Sequence, residues 1–382
     1  MSTASDVAIL GGGIIGLSLA WELAQRGAQV TLFERDAPGH AASWAAGGML
    51  APYTEELTDP ALRAFAIAAL AKYPTFVEAL QQASGIDVHW RLHGILEVAY
   101  DAVHAQRLKQ RAEFLAAENV PSRLLHNDRD IAAYDPALAR HAHVALLTEA
   151  EGQVDNRRLG RALTEAVERA GVTIRRHLSV ESLVCNARRV QGVQTSLGFF
   201  AAATVINTLG SWAPTLGGVP EHLVAPVTPI KGQMLAVAMP HRYLQRVVWA
   251  AGVYLIPRED GRLLVGATVE QQGFDQRITA GGIHHLLHGL LQALPGASDF
   301  ALNETWSGLR PQTPDGRPLL GRTELEGYVL ATGHYRNGIL LAPLTASVVA
   351  DDLLGIKSID TSFGLARFSK GGSFEKIAQS VT

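Results

Sequence analysis

The fold is decided by residues 7–16, which read VAILGGGIIG. An apolar run typical of a strand buried on both faces leads directly into a glycine cluster. Gly11, Gly13 and Gly16 form the pattern GxGxxG, and a helical stripe of apolar residues at Ile15, Leu19 and Leu23 continues from it. The sequence therefore predicts a strand, a tight turn and a helix, which together open a dinucleotide-binding βαβ unit.

Each part of this pattern has a physical role in holding a pyrophosphate. Gly11 allows the tight turn, Gly13 lets the backbone approach the phosphates, and Gly16 permits close packing of helix on strand. The helix N-terminus offers N–H groups and a partial positive charge to the anion. Glu34 ends the next predicted strand at about the spacing where an acid can bind a ribose hydroxyl. A glycine-rich turn without a ligand is the alternative, and Arg35 would fit either a 2′-phosphate or plain solvation.

Composition places the chain among globular proteins. Its 382 residues suggest two domains, and 47% of them are hydrophobic while 18% are charged. A formal net charge of −3 provides no basic surface for nucleic acid or an anionic membrane, so neither partner is expected. The single cysteine, Cys185, excludes a disulfide framework and a cysteine-cage metal site, and it fits a reducing compartment. With no basic leader and no long uninterrupted apolar stretch near the start, we expect a cytoplasmic protein.

The remaining sequence divides into α/β ends and a β-rich middle. Helices are predicted over residues 60–82, 102–118, 154–169 and 338–354, and strands over 88–91, 95–99, 172–176, 179–184, 190–194, 199–207 and 328–332. Residues 227–269 alternate apolar and polar residues between turn signals, which predicts an antiparallel sheet. We predict an α/β fold with two domains: a discontinuous Rossmann-like domain over 1–88, 147–222 and 303–382, and an antiparallel β-rich substrate domain over 89–146 and 223–302.

Two further segments carry specific patterns. Residues 43–52 read SWAAGGMLAP, whose small residues suit either a tight structural loop or close packing against something flat, and residues 333–343 read GHYRNGILLAP. Together with the glycine motif and Glu34, these segments resemble the D-amino-acid-oxidase family of flavoenzymes, and within it the glycine oxidase branch, which is associated with thiamine biosynthesis. Residues 152–155, 226–233 and 306–321 resemble the family as well, so the resemblance covers nearly the whole chain.

The resemblance implies FAD in extended form, held non-covalently by a Rossmann-like domain of the glutathione-reductase type. The residues implied at the cofactor are Gly11, Gly13, Ile14, Ile15 and Gly16 at the pyrophosphate, Glu34, Arg35 and Val180 at the adenosine end, Ala42, Ser43, Gly47, Gly48 and Met49 along the isoalloxazine, and His334, Tyr335, Arg336, Asn337, Gly338, Ile339 and Leu340 in the final loop. Relatives that tether the flavin use a cysteine near residues 306–321. This chain has none there, so covalent attachment is not expected.

Three residues are implied around the substrate. Arg310 matches the family arginine that grips the substrate carboxylate, for which a planar guanidinium offers two parallel hydrogen bonds. Tyr254 matches a tyrosine whose hydroxyl helps to bind this carboxylate, and Arg336 matches a second arginine near the flavin. Without the motif context, both arginines would be interpreted as surface residues. Val269 stands where one glycine oxidase of this family carries a methionine that lines the pocket, so the resemblance leaves the pocket size open.

The implied activity is oxidative deamination of glycine, or of another small amine or D-amino acid, by dioxygen. The products are the 2-oxo acid, ammonia and hydrogen peroxide, and the enzyme is expected to be a homo-oligomer. Two alternatives stay open: a D-amino-acid or sarcosine-type dehydrogenase subunit that passes electrons to a partner or quinone, and a flavoprotein with only a binding or scaffold role. No metal site is expected, because His284, His285 and His288 share a predicted helix without a neighbouring acid, which is typical of a solvated face.

Overall fold

The structure, a computed structural model, describes residues 5–138, 142–186, 188–241 and 243–368. The helices in these ranges are α1 (Ile14–Gln25), α2 (Ala42–Ala45), α3 (Pro60–Ser84), α4 (Ala102–Ala117), α5 (Asp128–Tyr134), α6 (Asn156–Arg169), α7 (Ala280–Ala293) and α8 (Gly338–Leu353). The strands are β1 (Ser5–Leu10), β2 (Val30–Phe33), β3 (Met49–Leu50), β4 (Ile95–Ala99), β5 (Ser122–Leu125), β6 (Val144–Thr148), β7 (Gly152–Gln153), β8 (Thr173–Arg175), β9 (Val180–Cys185), β10 (Val190–Thr195), β11 (Gly198–Asn207), β12 (Thr228–Ala238), β13 (Val247–Ala250), β14 (Val253–Pro257), β15 (Arg262–Gly266), β16 (Leu302–Gln312), β17 (Leu319–Arg322) and β18 (Tyr328–Thr332). Short 3-10 helices cover Gly210–Thr215, Glu221–Leu223, Pro295–Asp299, Thr361–Phe363 and Leu365–Phe368.

The first sheet has the order β17-β18-β11-β1-β2-β8, with β10 and β9 continuing from β11, and the pairs of β17, β10 and β9 are antiparallel. β1 pairs in parallel with β2 and β11, and β11 pairs in parallel with β18. Alternate residues of β1 enter different cores: Val7 and Ile9 pack with α1, α3, α6 and α8, whereas Ala8 and Leu10 pack with β9 and β10. The continuous apolar run of β1 is explained by this burial on both faces.

The second sheet has the order β16-β12-β15-β14-β13-β4-β6-β5. Its neighbours are antiparallel except for the parallel pair of β13 and β4. One face packs against α7, and the other carries Met234, Ile256 and Trp306 onto Ala45 and Ala51. The segment that contains α2 and β3 is therefore enclosed between the two sheets. The predicted α/β fold, with a Rossmann-like sheet and an antiparallel β-rich sheet, is confirmed.

One predicted strand is absent, and two predicted domain boundaries fall inside strands. Residues 88–91 do not form a strand, because His89 adopts a φ of 50°, which interrupts extended backbone, and Arg91 makes only an isolated bridge to Gln153. Strand β16 pairs with β12 over its length, so it belongs to the second sheet, although the predicted boundary at residue 303 placed it with the first. The boundary at 147 likewise falls inside β6. An apolar pattern shows that a strand exists without showing which strands it pairs with.

Candidate active site

One cavity extends from the first sheet to the second. Its first part is lined by the carboxyl ends of β1, β2 and β18, the start of α1 and the start of β9, and its second part by β12, β14, β16 and the loop before α8. The carboxyl ends of adjacent parallel strands are where ligands bind in open α/β sheets. The predicted residues that line the cavity are Gly11, Gly13, Ile14, Ile15, Glu34, Arg35, Ala42, Ser43, Gly47, Gly48, Met49, Val180, Tyr254, Arg310, His334, Tyr335, Arg336, Asn337, Gly338 and Ile339.

The three glycines of the motif meet different constraints. Gly11 has a φ of 100°, and a Cβ there would lie 2.8 Å from the Thr208 carbonyl oxygen. A Cβ on Gly16 would overlap the Gly11 carbonyl oxygen, so Gly16 serves the packing of helix on strand and does not line the cavity. Gly13 has an ordinary φ of −70°, and a Cβ there would have Ser43 Oγ as its nearest neighbour, at 3.4 Å. The fold thus requires glycine at 11 and 16, whereas at 13 it leaves open space for a ligand.

Side chains from three separate segments hold the glycine turn. Glu34 Oε2 accepts a hydrogen bond from Gly12 N at 2.7 Å, and Ser43 Oγ accepts one from Ile14 N at 2.9 Å. Thr208 Oγ1 donates to the Leu10 carbonyl at 2.7 Å. The motif implied Glu34 at a ribose and the resemblance implied Ser43 along the isoalloxazine, so their contacts with the turn were not predicted, and Thr208 was missed altogether. Its only sequence signal is its place directly after strand β11.

Arg35 and Val180, which the resemblance implied at the adenosine end, line the cavity together with Trp212, a residue that was not predicted. The Arg35 guanidinium lies over the Trp212 ring, 3.9 Å from its centroid. Arg35 Nε also donates to Asp36 at 3.1 Å, so this arginine is already engaged on two sides. Trp212 lies in a 3-10 helix, which has no hydrophobic period that sequence analysis could have detected.

Arg310 on β16 and Tyr254 on β14 reach the cavity from the second sheet. Arg310 Nη1 donates to the Thr268 carbonyl at 3.1 Å and to the Lys231 carbonyl at 3.4 Å. Within the described ranges, its other nitrogens donate to no residue and no carboxylate pairs with it. The guanidinium occupies the space above Gly232, where a Cβ would overlap it. Arg310 therefore presents unused donors to the cavity.

Arg336 also lines the cavity, but its positive charge is balanced by an ion pair. Its Nε lies 3.0 Å from Oε2 of Glu55, a second cavity residue that the sequence did not reveal. Burial opposes the charge of Arg336, but the attraction and hydrogen bond of Glu55 outweigh it and hold the pKa of Arg336 above its ordinary value. Arg336 thus has an acidic partner, whereas Arg310 has none within the described ranges.

The loop before α8 completes the cavity. His334 is buried, its Nε2 lies 3.1 Å from Thr345 Oγ1, and burial lowers its pKa to about 3, so the ring is neutral at physiological pH. Helix α8 begins at Gly338, and its first turn directs a partial positive charge at the cavity.

Leu340, which the sequence placed at the cofactor, does not line the cavity: it is buried in the core of the first sheet, because consecutive helical residues face different directions. Val269 is also outside the cavity and 55% exposed.

Other sequence features lie away from the cavity. His284, His285 and His288 are exposed on α7. The described ranges contain no group of three or more His, Cys, Asp or Glu residues that could hold a metal ion. They also contain no helix whose length and hydropathy would allow it to cross a membrane. Cys185 is a free cysteine outside the cavity lining.

Comparison with known proteins gives a consistent result. A profile of the family described as FAD dependent oxidoreductase matches residues 6–352. The chain is 37% identical to the bifunctional protein ThiO/ThiG of Trichormus variabilis, over 96% of this chain and 56% of that protein. It is 36% identical to the glycine oxidase of Geobacillus kaustophilus, over 95% of this chain and 96% of that protein. The crystal structure of glycine oxidase from Geobacillus kaustophilus matches with a TM-score of 0.91 and 35% identity, covering 96% of this chain and 99% of that one. The chain spans about half the length of the bifunctional relatives and nearly all of the glycine oxidase.

Proposed function

This chain belongs to the FAD dependent oxidoreductase family, and we propose that it is a glycine oxidase. Its cofactor is FAD, which when bound supplies the chemistry of accepting a hydride from an amine-bearing carbon and returning two electrons to dioxygen. The proposed net reaction converts glycine, water and dioxygen into glyoxylate, ammonia and hydrogen peroxide. The observation that carries this proposal is Arg310, whose unused guanidinium donors face the cavity that begins at the glycine turn.

The residues along the cavity fit an extended dinucleotide. Gly13 leaves space at the N-terminus of α1, where N–H groups and the helix dipole attract a pyrophosphate. Glu34 and Arg35 line the same cavity, and Gly47 lies against Ile256 and Tyr254 of the second sheet. The start of α8 directs a partial positive charge at the same part of the cavity, where it would favour a negatively charged reduced cofactor.

The substrate end suits a small molecule with one carboxylate. We assign the carboxylate to Arg310, whose planar fork can donate two parallel hydrogen bonds, with Tyr254 lining the same cavity. Tyr254 Oη lies 3.9 Å from Met234 Sδ, so its hydroxyl has only a weak partner and can turn to a ligand. His334 is neutral and buried, which makes it unsuitable as a general acid. The proposed chemistry therefore depends on orientation of the substrate by Arg310 and Tyr254.

The test is product analysis with purified protein and glycine, sarcosine or D-alanine as substrate. A glycine oxidase should release hydrogen peroxide, glyoxylate and ammonia from glycine in equal amounts. A dehydrogenase would reduce an artificial electron acceptor without forming peroxide, and a scaffold flavoprotein would do neither. Either of these last two results would overturn the proposed function.

Several finer features belong to the same proposal. We assign the first sheet to an FAD-binding domain and the second to a substrate domain. We also propose a cytoplasmic homo-oligomer that acts in thiamine biosynthesis, in line with the resemblance and the low cysteine content. A deletion strain that grows normally without thiamine would contradict this physiological role, and sedimentation of the purified protein as a monomer would contradict the oligomer.

A further inference from the structure

The turn formed by residues 53–56, between β3 and α3, brings Glu55 into the cavity. The turn reads YTEE, and neighbouring Glu56 has a φ of 49°, which bulky residues seldom adopt. Glu55 itself contacts Arg336, with distances of 3.0 Å from Nε to Oε2 and 3.4 Å from Nη2 to Oε1. A single short turn therefore determines where this carboxylate lies.

The N–H side of the 53–56 turn is held by Glu151, a side chain that is 0% exposed. One of its oxygens, Oε1, accepts from Tyr53 N at 2.6 Å and from Thr54 N at 2.9 Å, and Oε2 accepts from the Thr54 hydroxyl. Burial raises the pKa of Glu151 to about 7, and these three donors act against that rise. Glu151 immediately precedes β7, which pairs with β3 next to the turn, so both ends of these contacts are anchored in one small sheet.

The carbonyl side of the turn is held by Arg111, which projects from α4 and is also buried. Its Nη2 donates to the Tyr53 carbonyl at 2.6 Å. Its Nη1 donates to Glu97 at 2.6 Å and to Glu56 at 3.3 Å. Two buried ionisable side chains on separate elements thus hold opposite sides of the 53–56 turn, and neither lines the cavity.

We propose that Glu151, together with Arg111, is a positioning residue for Glu55, and that Glu55 in this position makes the site selective for monocarboxylates. Glu55 neutralises Arg336, so the cavity presents one uncompensated guanidinium, that of Arg310. A second carboxylate on a ligand meets the negative charge of Glu55 and finds the cation of Arg336 occupied. The inference deepens the proposed function and rests on its assignment of Arg310 to the substrate carboxylate.

The probes are acetate and malonate, which carry one and two carboxylates and have no amine to be oxidised, so their binding to the FAD-loaded protein can be measured without turnover. Their dissociation constants are read from the perturbation of the flavin absorbance spectrum. In Glu55→Gln, the preference for malonate over acetate should increase by roughly tenfold relative to wild type, the scale of one partly screened charge pair. Glu151→Gln should shift the preference in the same direction, by less. The double variant should shift it no further than Glu55→Gln alone, since both changes act through the same carboxylate.

The matched control is Glu149→Gln, which lies two residues from Glu151 but forms an exposed pair with Arg123 at 3.2 Å. It should leave the preference unchanged. Thr54→Val removes the hydroxyl that donates to Glu151 and keeps the Glu151 carboxylate, so it tests the same contact if Glu151→Gln fails to fold. The preference for malonate over acetate should then shift by about two- to threefold.

Different outcomes overturn different parts of the reasoning. An unchanged preference in Glu55→Gln would show that Glu55 does not mask Arg336. A shift in Glu55→Gln with none in Glu151→Gln or Thr54→Val, or strictly additive shifts in the double variant, would show that Glu151 does not position it. Failure of the wild-type protein to oxidise glycine would overturn the proposed function alone, because the binding measurements need no turnover.

Discussion

Replacing Arg310 with alanine should separate substrate binding from cofactor binding. Nη1 of Arg310 donates hydrogen bonds to the Thr268 and Lys231 carbonyls, which leaves the other guanidinium nitrogens free to donate to a ligand. Loss of a charge-assisted, two-bond contact to the carboxylate in a partly dry cavity should cost about 2–4 kcal/mol. That is a decrease of roughly 30- to 1000-fold in kcat/KM, mostly through KM. The pairing of β16 with β12 uses backbone groups, so FAD content and Tm should stay near those of wild type.

The assay is steady-state peroxide formation with glycine, together with flavin content from absorbance. Arg310→Lys should recover only part of the loss, because an ammonium lacks the planar fork. The control is Arg322→Ala, which removes an arginine that pairs with Asp352 outside the cavity and should leave kcat/KM unchanged. Near-normal kcat/KM in Arg310→Ala would refute the assignment of the carboxylate. Loss of FAD from that variant would equally refute it, since the residue would then serve the cofactor or the fold.

Three more predictions test the cavity. Gly13→Ala should weaken FAD binding at least about tenfold with little change in the Tm of the apoprotein. Gly16→Ala should instead lower that Tm, because its Cβ would overlap the Gly11 carbonyl oxygen. Equal effects of the two variants on FAD binding and on Tm would contradict this distinction. Acid precipitation should leave FAD in the supernatant, since Cys185 lies outside the cavity, and flavin in the pellet would show covalent attachment. Because the pKa of His334 falls from 6.5 to about 3 on folding, the unfolded state takes up its proton first, and stability should decrease as the pH drops below about 6.5. Urea unfolding at about pH 7 and about pH 5 should show a smaller decrease for His334→Asn than for wild type, and parallel decreases would mean that His334 is not the source.

Much of the candidate site could be predicted because it consists of short continuous segments. Most residues of the segments 11–15, 42–49 and 334–339 line the cavity. Leu340 shows where such a prediction stops, because one step along a helix turns a side chain from the cavity into the core.

Residues that act through distant partners could not be predicted in this way. Glu55 and Arg336 form one ion pair although they are 281 positions apart. Glu151 is 97 positions from Thr54, and Arg111 is 58 from Tyr53. Their sequence surroundings resemble those of ordinary surface residues, and only packing of the 53–56 turn reveals their partners.

The sequence by itself determined the local units of this protein. The glycine pattern, the burial of β1 on both faces and the stripe of α1 follow from backbone sterics and side-chain periodicity, which act over a few residues. Only the tertiary structure decided that β16 joins the second sheet, and that Arg310 is free of acidic partners within the described ranges while Arg336 is neutralised. Strand pairing and charge compensation depend on which distant segments meet, and a guanidinium has the same chemistry in the sequence whether or not folding brings a carboxylate to it.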